Sequence, residues 1–237
     1  MIEAGAVPPV GPWQESTVVD IRDETATVKT FRLALPSVTP YLAGQHMVVR
    51  LTAPDGYAAQ RSYSVASPPG DGMTLELTIE RLPDGEVSTF LHDEVVVGDT
   101  LEVRGPIGGW FVWDATRPAL LIGGGSGVVP VMAMLRLARR TGATAHLLVS
   151  VRAPEELIYA DELRAGDATV LYTRARPADA TRSIGRIAAS DIASHLRDDA
   201  TVFICGSAAF AEAATERALE AGAVTDRIRI ERFGPSS

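Results

Sequence analysis

The sequence predicts a small antiparallel β-barrel followed by a doubly wound α/β domain. Three observations predict it. Short β-rich runs separated by turn residues fill the first half, strand and helix patterns alternate through the second, and a glycine-rich turn follows the first strand of that second half. At 237 residues the chain has room for two domains, each large enough to bury its own core.

From about residue 15 to 106, β-prone runs occupy 17–21, 28–35, 46–51, 61–65, 73–79 and 100–103, and Asp55-Gly56, Pro69-Gly70 and Asp84-Gly85 punctuate them. Strands this short and closely spaced fit a barrel. The patterns break near 113–118, at Asp114, Thr116 and Pro118, which divides the chain into 1–115 and 116–237.

Beyond the break, strands are expected at 119–122, 145–151, 169–172, 202–205 and 228–231. Helices are expected from near Pro130, near 154–163, near 187–196 and near 208–220. Such alternation implies a parallel sheet wrapped by helices. In the first helix Val131, Met134, Leu135 and Ala138 share an apolar face. Arg136, Arg139 and Arg140 favour the far side and the negative end of the dipole, and Gly142 is suited to cap it.

Composition narrows the function classes. The formal net charge of −8 opposes binding to nucleic acid or to an anionic membrane surface. No apolar run approaches the ~20 residues that span a bilayer, and Met1 to Val10 lack the basic flank and apolar run of a secretory signal, so a cytoplasmic location is expected; the chain is separately expected to be a monomer. A single cysteine, Cys205, leaves neither an internal disulfide nor an iron–sulfur cluster to this chain; an electron carrier here would be organic. His46, His92, His146 and His195 show no ligand spacing, so no metal site is expected and they read as surface or packing residues.

The run Leu120-Leu121-Ile122-Gly123-Gly124-Gly125-Ser126-Gly127-Val128-Val129-Pro130 is a buried strand passing through a glycine turn into a helix. Glycines there let backbone approach a pyrophosphate, and the helix N-terminus supplies N–H donors and positive potential. Proline replaces the third glycine of the usual fingerprint, at a position where the first helical turn accepts it. A strand-to-helix turn without a ligand fits the same residues.

In the first half, Arg61-Ser62-Tyr63-Ser64 lies in a barrel strand and Gly85-Glu86-Val87-Ser88 follows a turn. Alternation puts Arg61 and Tyr63 on one face and Ser64 on the other, offering a cation, an aromatic plane and a hydroxyl. A flavin nucleotide uses such groups for phosphate, ring and reactive nitrogen. An exposed cation–π pair is the plainer alternative.

Taken in order, the R-x-Y-S strand, the G-x-x-S turn, Gly105-Pro106-x-Gly108, the G-x-G-x-x-P turn and the Cys205-Gly206 pair resemble the ferredoxin–NADP reductase superfamily, above all its bacterial oxygenase-reductase and flavodoxin-reductase branches. The resemblance implies FAD on the barrel and NAD(P)H on the second domain, with hydride passing from nicotinamide C4 to flavin N5 and single electrons leaving for an iron–sulfur, flavodoxin-like or haem acceptor. By motif, Arg61 contacts flavin phosphate, Ser62 lies in the same strand, Tyr63 packs along the ring and ribityl chain, and Ser64 bonds near N5. Gly85 with the N–H groups of Val87 and Ser88 holds the pyrophosphate, which favours FAD over FMN. Gly124, Gly125, Ser126, Gly127, Val128 and Pro130 take the nicotinamide nucleotide, with Cys205 and Gly206 beside the nicotinamide; Cys205 equally suits a buried thiol closing a core strand. The family commonly ends in an aromatic that shields the flavin, a part open to Phe233 although the chain continues past it.

Cofactor preference is read from the residues themselves. Ser150 and Arg152 close the second strand of the second domain. Thr173, Arg174 and Arg176 follow the third, with Arg182 and Arg186 beyond, and an arginine near such strand ends can hold a 2′-phosphate. NADPH is therefore expected in preference to NADH, with ordinary solvated loop charges as the alternative. No cysteine-rich ferredoxin segment is fused at either end, so the expected acceptor is a separate protein. The competing functions are a non-catalytic flavin- or nucleotide-binding regulatory subunit and a free-flavin or quinone reductase.

Overall fold

The computed structural model describes residues 10–70, 72–164, 166–180 and 182–234. The leader reading at Met1 to Pro9 and the tail after Gly234 lie outside the described residues. The chain divides into two compact units between Asp114 and Ala115.

The first unit is a six-stranded antiparallel sheet built from β1 (Gln14–Thr25), β2 (Val28–Ala34), β3 (His46–Thr52), β4 (Ala58–Ser64), β5 (Thr74–Glu80) and β6 (Thr100–Ile107), in the order β4-β3-β6-β1-β2-β5. A bridge between Val65 and Leu77 joins the end of β4 to β5 and curls the two sheet edges together. Alternating side chains, among them Phe31, Leu33, Met47, Val49, Leu75, Leu77 and Val103, fill the barrel. Two turn signals act as their chemistry requires. Gly56 adopts φ +90° between β3 and β4, and Asp55 Oδ1 accepts from the Tyr57 N–H at 3.0 Å. The Asp84-Gly85 turn opens helix α1 (Glu86–Asp93).

The second unit is a five-stranded parallel sheet of β7 (Ala119–Gly124), β8 (Ala145–Val151), β9 (Ala168–Tyr172), β10 (Thr201–Ser207) and β11 (Ile228–Phe233), in the order β11-β10-β7-β8-β9. The chain lays β7, β8 and β9 outward in one direction, then returns to place β10 on the other side of β7. The reversal between β7 and β10 is a topological switch point. Helix α2 (Val128–Thr141) carries the expected apolar face and ends on Gly142, left-handed at φ +75° and donating to the Ala138 carbonyl. Helix α4 (Ala208–Glu220) is capped by Ser207, whose Oγ accepts from the Phe210 N–H.

Two expected helices differ. The segment near 154–163 forms two separate 3₁₀ turns, Pro154–Glu156 and Glu162–Arg164, because Leu157 is extended and Tyr159 is left-handed at φ +60°, which no α-helix accommodates. The helix near 187–196 contracts to α3 (Ala189–Ala193). Its start is fixed by Asp191 accepting from the Ala188 N–H at 2.8 Å. Among the described residues no helix is long and apolar enough to cross a membrane.

Candidate functional site

In the first unit the candidate residues gather at β4, an edge strand of the sheet. Its register sets Tyr63 opposite Met47 and Ser64 opposite His46, so Tyr63 and Ser64 occupy opposite faces. Tyr63 packs against the barrel core, and burial pushes its phenol up to about 12. Ser64 is buried on the other face. Arg61 and Ser62 are exposed; the Arg61 guanidinium donates to the Gln60 carbonyl at 2.7 Å and has no carboxylate partner among the described residues.

Helix α1 packs beside β4. Gly85 is its N-cap, and a Cβ there would fall 2.3 Å from Ser88 Oγ. The Ser88 hydroxyl is taken up by the loop: it accepts from the Leu82 N–H at 3.2 Å and donates to the Gly85 carbonyl at 3.1 Å. What this terminus offers an anion is therefore its first-turn N–H groups, those of Val87 and Ser88 included, and the positive end of the dipole. Tyr57 Oη donates to Glu86 Oε2 at 3.1 Å, and the charge of Arg61 acts on the same phenol. The β3–β4 hairpin, β4 and the start of α1 thus converge.

Sequence reasoning missed Gln45. This fully buried side chain accepts from the Leu42 N–H at 2.8 Å and donates to the Gly108 carbonyl at 2.7 Å. Its own carbonyl accepts from the Val65 N–H, tying the residue after Ser64 to Gly108, just past β6. An uncharged polar residue opening an apolar strand run was the available signal.

In the second unit the candidates line the carboxyl edge of the parallel sheet. Gly124 pairs with Ser150, Gly123 with Cys205, Ser207 with Phe233, and Val151 with Tyr172, which leads into Thr173 and Arg174. The glycine turn bends through a 3₁₀ turn at Gly125–Gly127 into α2, with Gly125 left-handed at φ +56°. Gly127 is required by contact: a Cβ would lie 2.3 Å from the Cys205 carbonyl oxygen. The turn after β7 and the end of β10 therefore close on each other at the switch point. Gly124, Gly125 and Ser126 keep accessible surface, whereas Val128 and Pro130 are buried. Phe210, another residue the sequence did not reveal, lies against both Gly124 and Gly206; a Cβ on either would come within 2.6 Å of its ring.

Cys205 is fully buried, and burial followed by the charge of Glu231 pushes its thiol up, so it is a neutral thiol. Glu231, its neighbour on β11, was also missed. Burial raises its carboxyl to about 7, and among the described residues its buried Oε2 has no hydrogen-bond partner.

The arginines separate by function. Arg152 pairs with Glu156 at 2.7 Å. Arg182 pairs with Asp191 at 2.6 Å and donates to the carbonyls of Ser183, Gly185 and Arg186, so it staples its own loop. Arg174 is exposed, has no carboxylate partner among the described residues, and its N–H is anchored on the Arg152 carbonyl at 2.9 Å.

The residues fit two nucleotides. The first unit presents a cation, helix N–H groups and an aromatic ring, the donor set for a flavin nucleotide. The second presents bare backbone at a switch point where a Cβ would obstruct the turn, the form of a dinucleotide site. Among the described residues no group of three or more His, Cys, Asp or Glu could hold a metal ion.

Comparison with known proteins agrees. Residues 15–112 match the oxidoreductase FAD-binding domain and residues 121–216 the oxidoreductase NAD-binding domain. A glycine betaine monooxygenase reductase subunit of Chromohalobacter salexigens is 37% identical over 150 residues, which are 61% of this chain and 40% of that protein. The reductase component of the naphthalene 1,2-dioxygenase/salicylate 5-hydroxylase systems of a Ralstonia species is 28% identical over 232 residues, 94% of this chain and 69% of that one. The crystal structure of the FAD/NAD-binding domain of nitric oxide dioxygenase from Vibrio cholerae superposes with a TM-score of 0.82 at 26% identity, covering 94% of this chain and 99% of that chain.

Proposed function

This chain belongs to the ferredoxin reductase-like oxidoreductases that carry an FAD-binding and an NAD-binding domain, and we propose that it is an FAD-dependent NAD(P)H reductase delivering single electrons to a separate acceptor protein. The reading assigns FAD to residues 1–115 and the nicotinamide nucleotide to 116–237. One observation carries it. The glycine turn and the end of β10 meet at the switch point of the sheet, with Gly127 against the Cys205 carbonyl, which is where doubly wound sheets take dinucleotides.

Bound FAD supplies the conversion of a hydride from reduced nicotinamide into single electrons. The protein binds and orients. Arg61 and the N–H groups of Val87 and Ser88 hold phosphate, Ser62 and Tyr63 contribute from the same strand, and Ser64 donates a hydrogen bond at the reactive ring nitrogen. The backbone of Gly124, Gly125 and Ser126 receives the nicotinamide nucleotide's pyrophosphate. Cys205 and Gly206 flank its reacting end, and Phe233 shields the adjoining face. Ser150, Thr173 and Arg174 hold the adenosine end, which favours NADPH. The names of the relatives, reductase components of oxygenase systems, support an acceptor on another polypeptide. The reading also includes a cytoplasmic monomer.

The experiment is direct. The purified chain is expected to be yellow, to release FAD on heating, and to bleach anaerobically with reduced nicotinamide nucleotide. A colourless protein that binds no added flavin would refute the proposal. Size-exclusion chromatography tests the monomer.

A further inference from the structure

We propose that Trp110 anchors the docking face for the electron acceptor, and that this acceptor is a protein with a basic rim around its redox centre; the inference rests on the reductase reading above. Trp110 lies at the end of the barrel that carries Ser64. His46 stands opposite Ser64 on the β3–β4 ladder and pairs with Ile107 at the close of β6. Its ring faces Gly108, where a Cβ would lie 3.6 Å from His46 Nδ1. Two residues further on, Trp110 is 63% exposed, the most exposed large apolar side chain among the described residues.

That exposure does not come from a loose loop. The Gly108 carbonyl accepts from Gln45 Nε2 at 2.7 Å, and the Trp113 N–H donates to the Ala43 carbonyl at 3.0 Å, so the segment is fastened on both sides of the indole. Its neighbours Phe111 and Trp113 are buried, which leaves Trp110 turned to solvent. A tryptophan on a fixed platform brings a large apolar area to a partner at little cost in lost freedom, the character of an interface hot spot.

Charge selects the partner. Residues 1–114 carry sixteen Asp and Glu against seven Lys and Arg, a net −9 with histidine neutral, whereas 115–237 carry fourteen against fifteen, a net +1. Several cations of the first unit are spent inside it: Arg22 on Glu76, Arg50 on Glu102 and Arg81 on Asp93. Glu15, Asp23, Asp84 and Glu94 face solvent. The pyrophosphate of FAD, the ligand assigned to this same unit, deepens the negative field. Electrons leave from the flavin, so the acceptor approaches the unit that holds it. An acidic carrier is repelled there, and a carrier with Lys and Arg around an apolar patch is drawn in and covers the indole. The electrons balance: each NADPH oxidised gives up two electrons and one proton, two acceptors take one electron each in successive encounters, and the proton passes to solvent.

Cytochrome c, a basic haem protein, is the probe, with ferricyanide as a small anion that needs no docking face. The NADPH-reduced protein is mixed with each by stopped flow, and binding of cytochrome c to the oxidised protein is read by isothermal titration calorimetry. Between about 10 mM and about 300 mM NaCl the second-order rate with cytochrome c is expected to fall at least about tenfold, while that with ferricyanide does not fall. Trp110→Ala is expected to weaken the calorimetric affinity and the low-salt rate for cytochrome c about tenfold with ferricyanide unchanged, and Trp110→Tyr to stay within about threefold. A cytochrome c rate that does not fall with salt overturns the basic partner. Trp110→Ala that binds cytochrome c as tightly as the unmutated protein, or that loses flavin or slows ferricyanide equally, overturns the anchor. So does a dimer in sedimentation that Trp110→Ala abolishes, because the indole then belongs to a second copy of this chain. A protein that NADPH does not bleach overturns the reductase reading instead, and the calorimetry, which needs no electron transfer, still decides the docking face.

Discussion

Cys205 and Glu231 pair across the parallel β10–β11 ladder, and burial raises both groups above their ordinary values. The Glu231 carboxyl keeps its proton to about 7, against an ordinary value of 4.5, because burial disfavours the anion; among the described residues its Oε2 has no donor. The carboxyl thus carries its proton into the neutral range, one strand away from Cys205.

That raised carboxyl makes stability depend on pH with a definite sign. The folded value lies above the unfolded one, so the contribution is fully present below about 4.5 and is lost as pH rises through 7. Glu231→Gln keeps the shape and removes the charge. Its unfolding free energy is expected to exceed that of the unmutated chain by on the order of 2 kcal/mol at pH 8 and to match it near pH 5. Urea melts at the two values decide it, and an unchanged pH dependence in the variant would discard the assignment.

A second pair gives the opposite sign. His146 and His195 stack with centroids 3.6 Å apart and planes 7° from parallel, and His146 Nε2 bonds Thr169 Oγ1 at 2.9 Å. Burial, then the charge of His195, lowers His146 from 6.5 to about 4, with Asp167 pulling weakly upward. Two stacked imidazolium rings repel, so this stability is present above 6.5 and lost as pH falls through 4. His146→Phe keeps a flat ring. It should sacrifice about 1 kcal/mol with the Thr169 bond yet flatten the acid side of a melting-temperature profile. A profile parallel to the unmutated one would show that the stack does not titrate with folding.

Ser64 is the residue on which hydride transfer should depend most visibly. It is buried on the face of β4 opposite Tyr63, beside His46, so alanine opens little space. Ser64→Ala is expected to retain flavin and to slow reduction by a barrier increase of about 1–3 kcal/mol, the scale of one preorganised polar contact. Stopped-flow reduction at the unmutated rate would remove Ser64 from the chemistry.

The contrast between legible and hidden features has a physical basis. Alternation and glycine punctuation announce both sheets, since a strand's period and a left-handed turn are local properties that Gly56, Gly125 and Gly142 write directly into the chain. The 154–163 segment misleads because its buried Leu157, Ile158, Tyr159 and Leu163 imitate a helical face. Their true organiser is remote: Arg136 of α2 lies over the Tyr159 ring at 4.7 Å and pairs with Glu162. Tyr57 and Glu86 meet across 29 positions, and Glu231 becomes unusual only once the neighbouring strand buries it. Contacts of that range leave no periodic trace.

The same range effect sorts the arginines behind the NADPH expectation. Four of them follow β9 in the chain, yet Arg182 is consumed by Asp191 and three carbonyls, and Arg176 donates to the carbonyls of Ala180 and Arg182. Arg174 keeps its guanidinium uncommitted at the carboxyl edge of the sheet, on a backbone pinned to Arg152. A 2′-phosphate there gains a charge-assisted contact that a 2′-hydroxyl cannot match. Arg174→Ala is therefore expected to lower kcat/KM for NADPH about tenfold to a hundredfold and to leave NADH within about twofold. Arg182→Ala should instead lower the melting temperature and depress both cofactors alike, because it removes a loop staple. Steady-state kinetics with both nucleotides on the three proteins separates the outcomes. Equal losses in Arg174→Ala, or an unmutated enzyme that prefers NADH, would return Arg174 to the solvated loop charges.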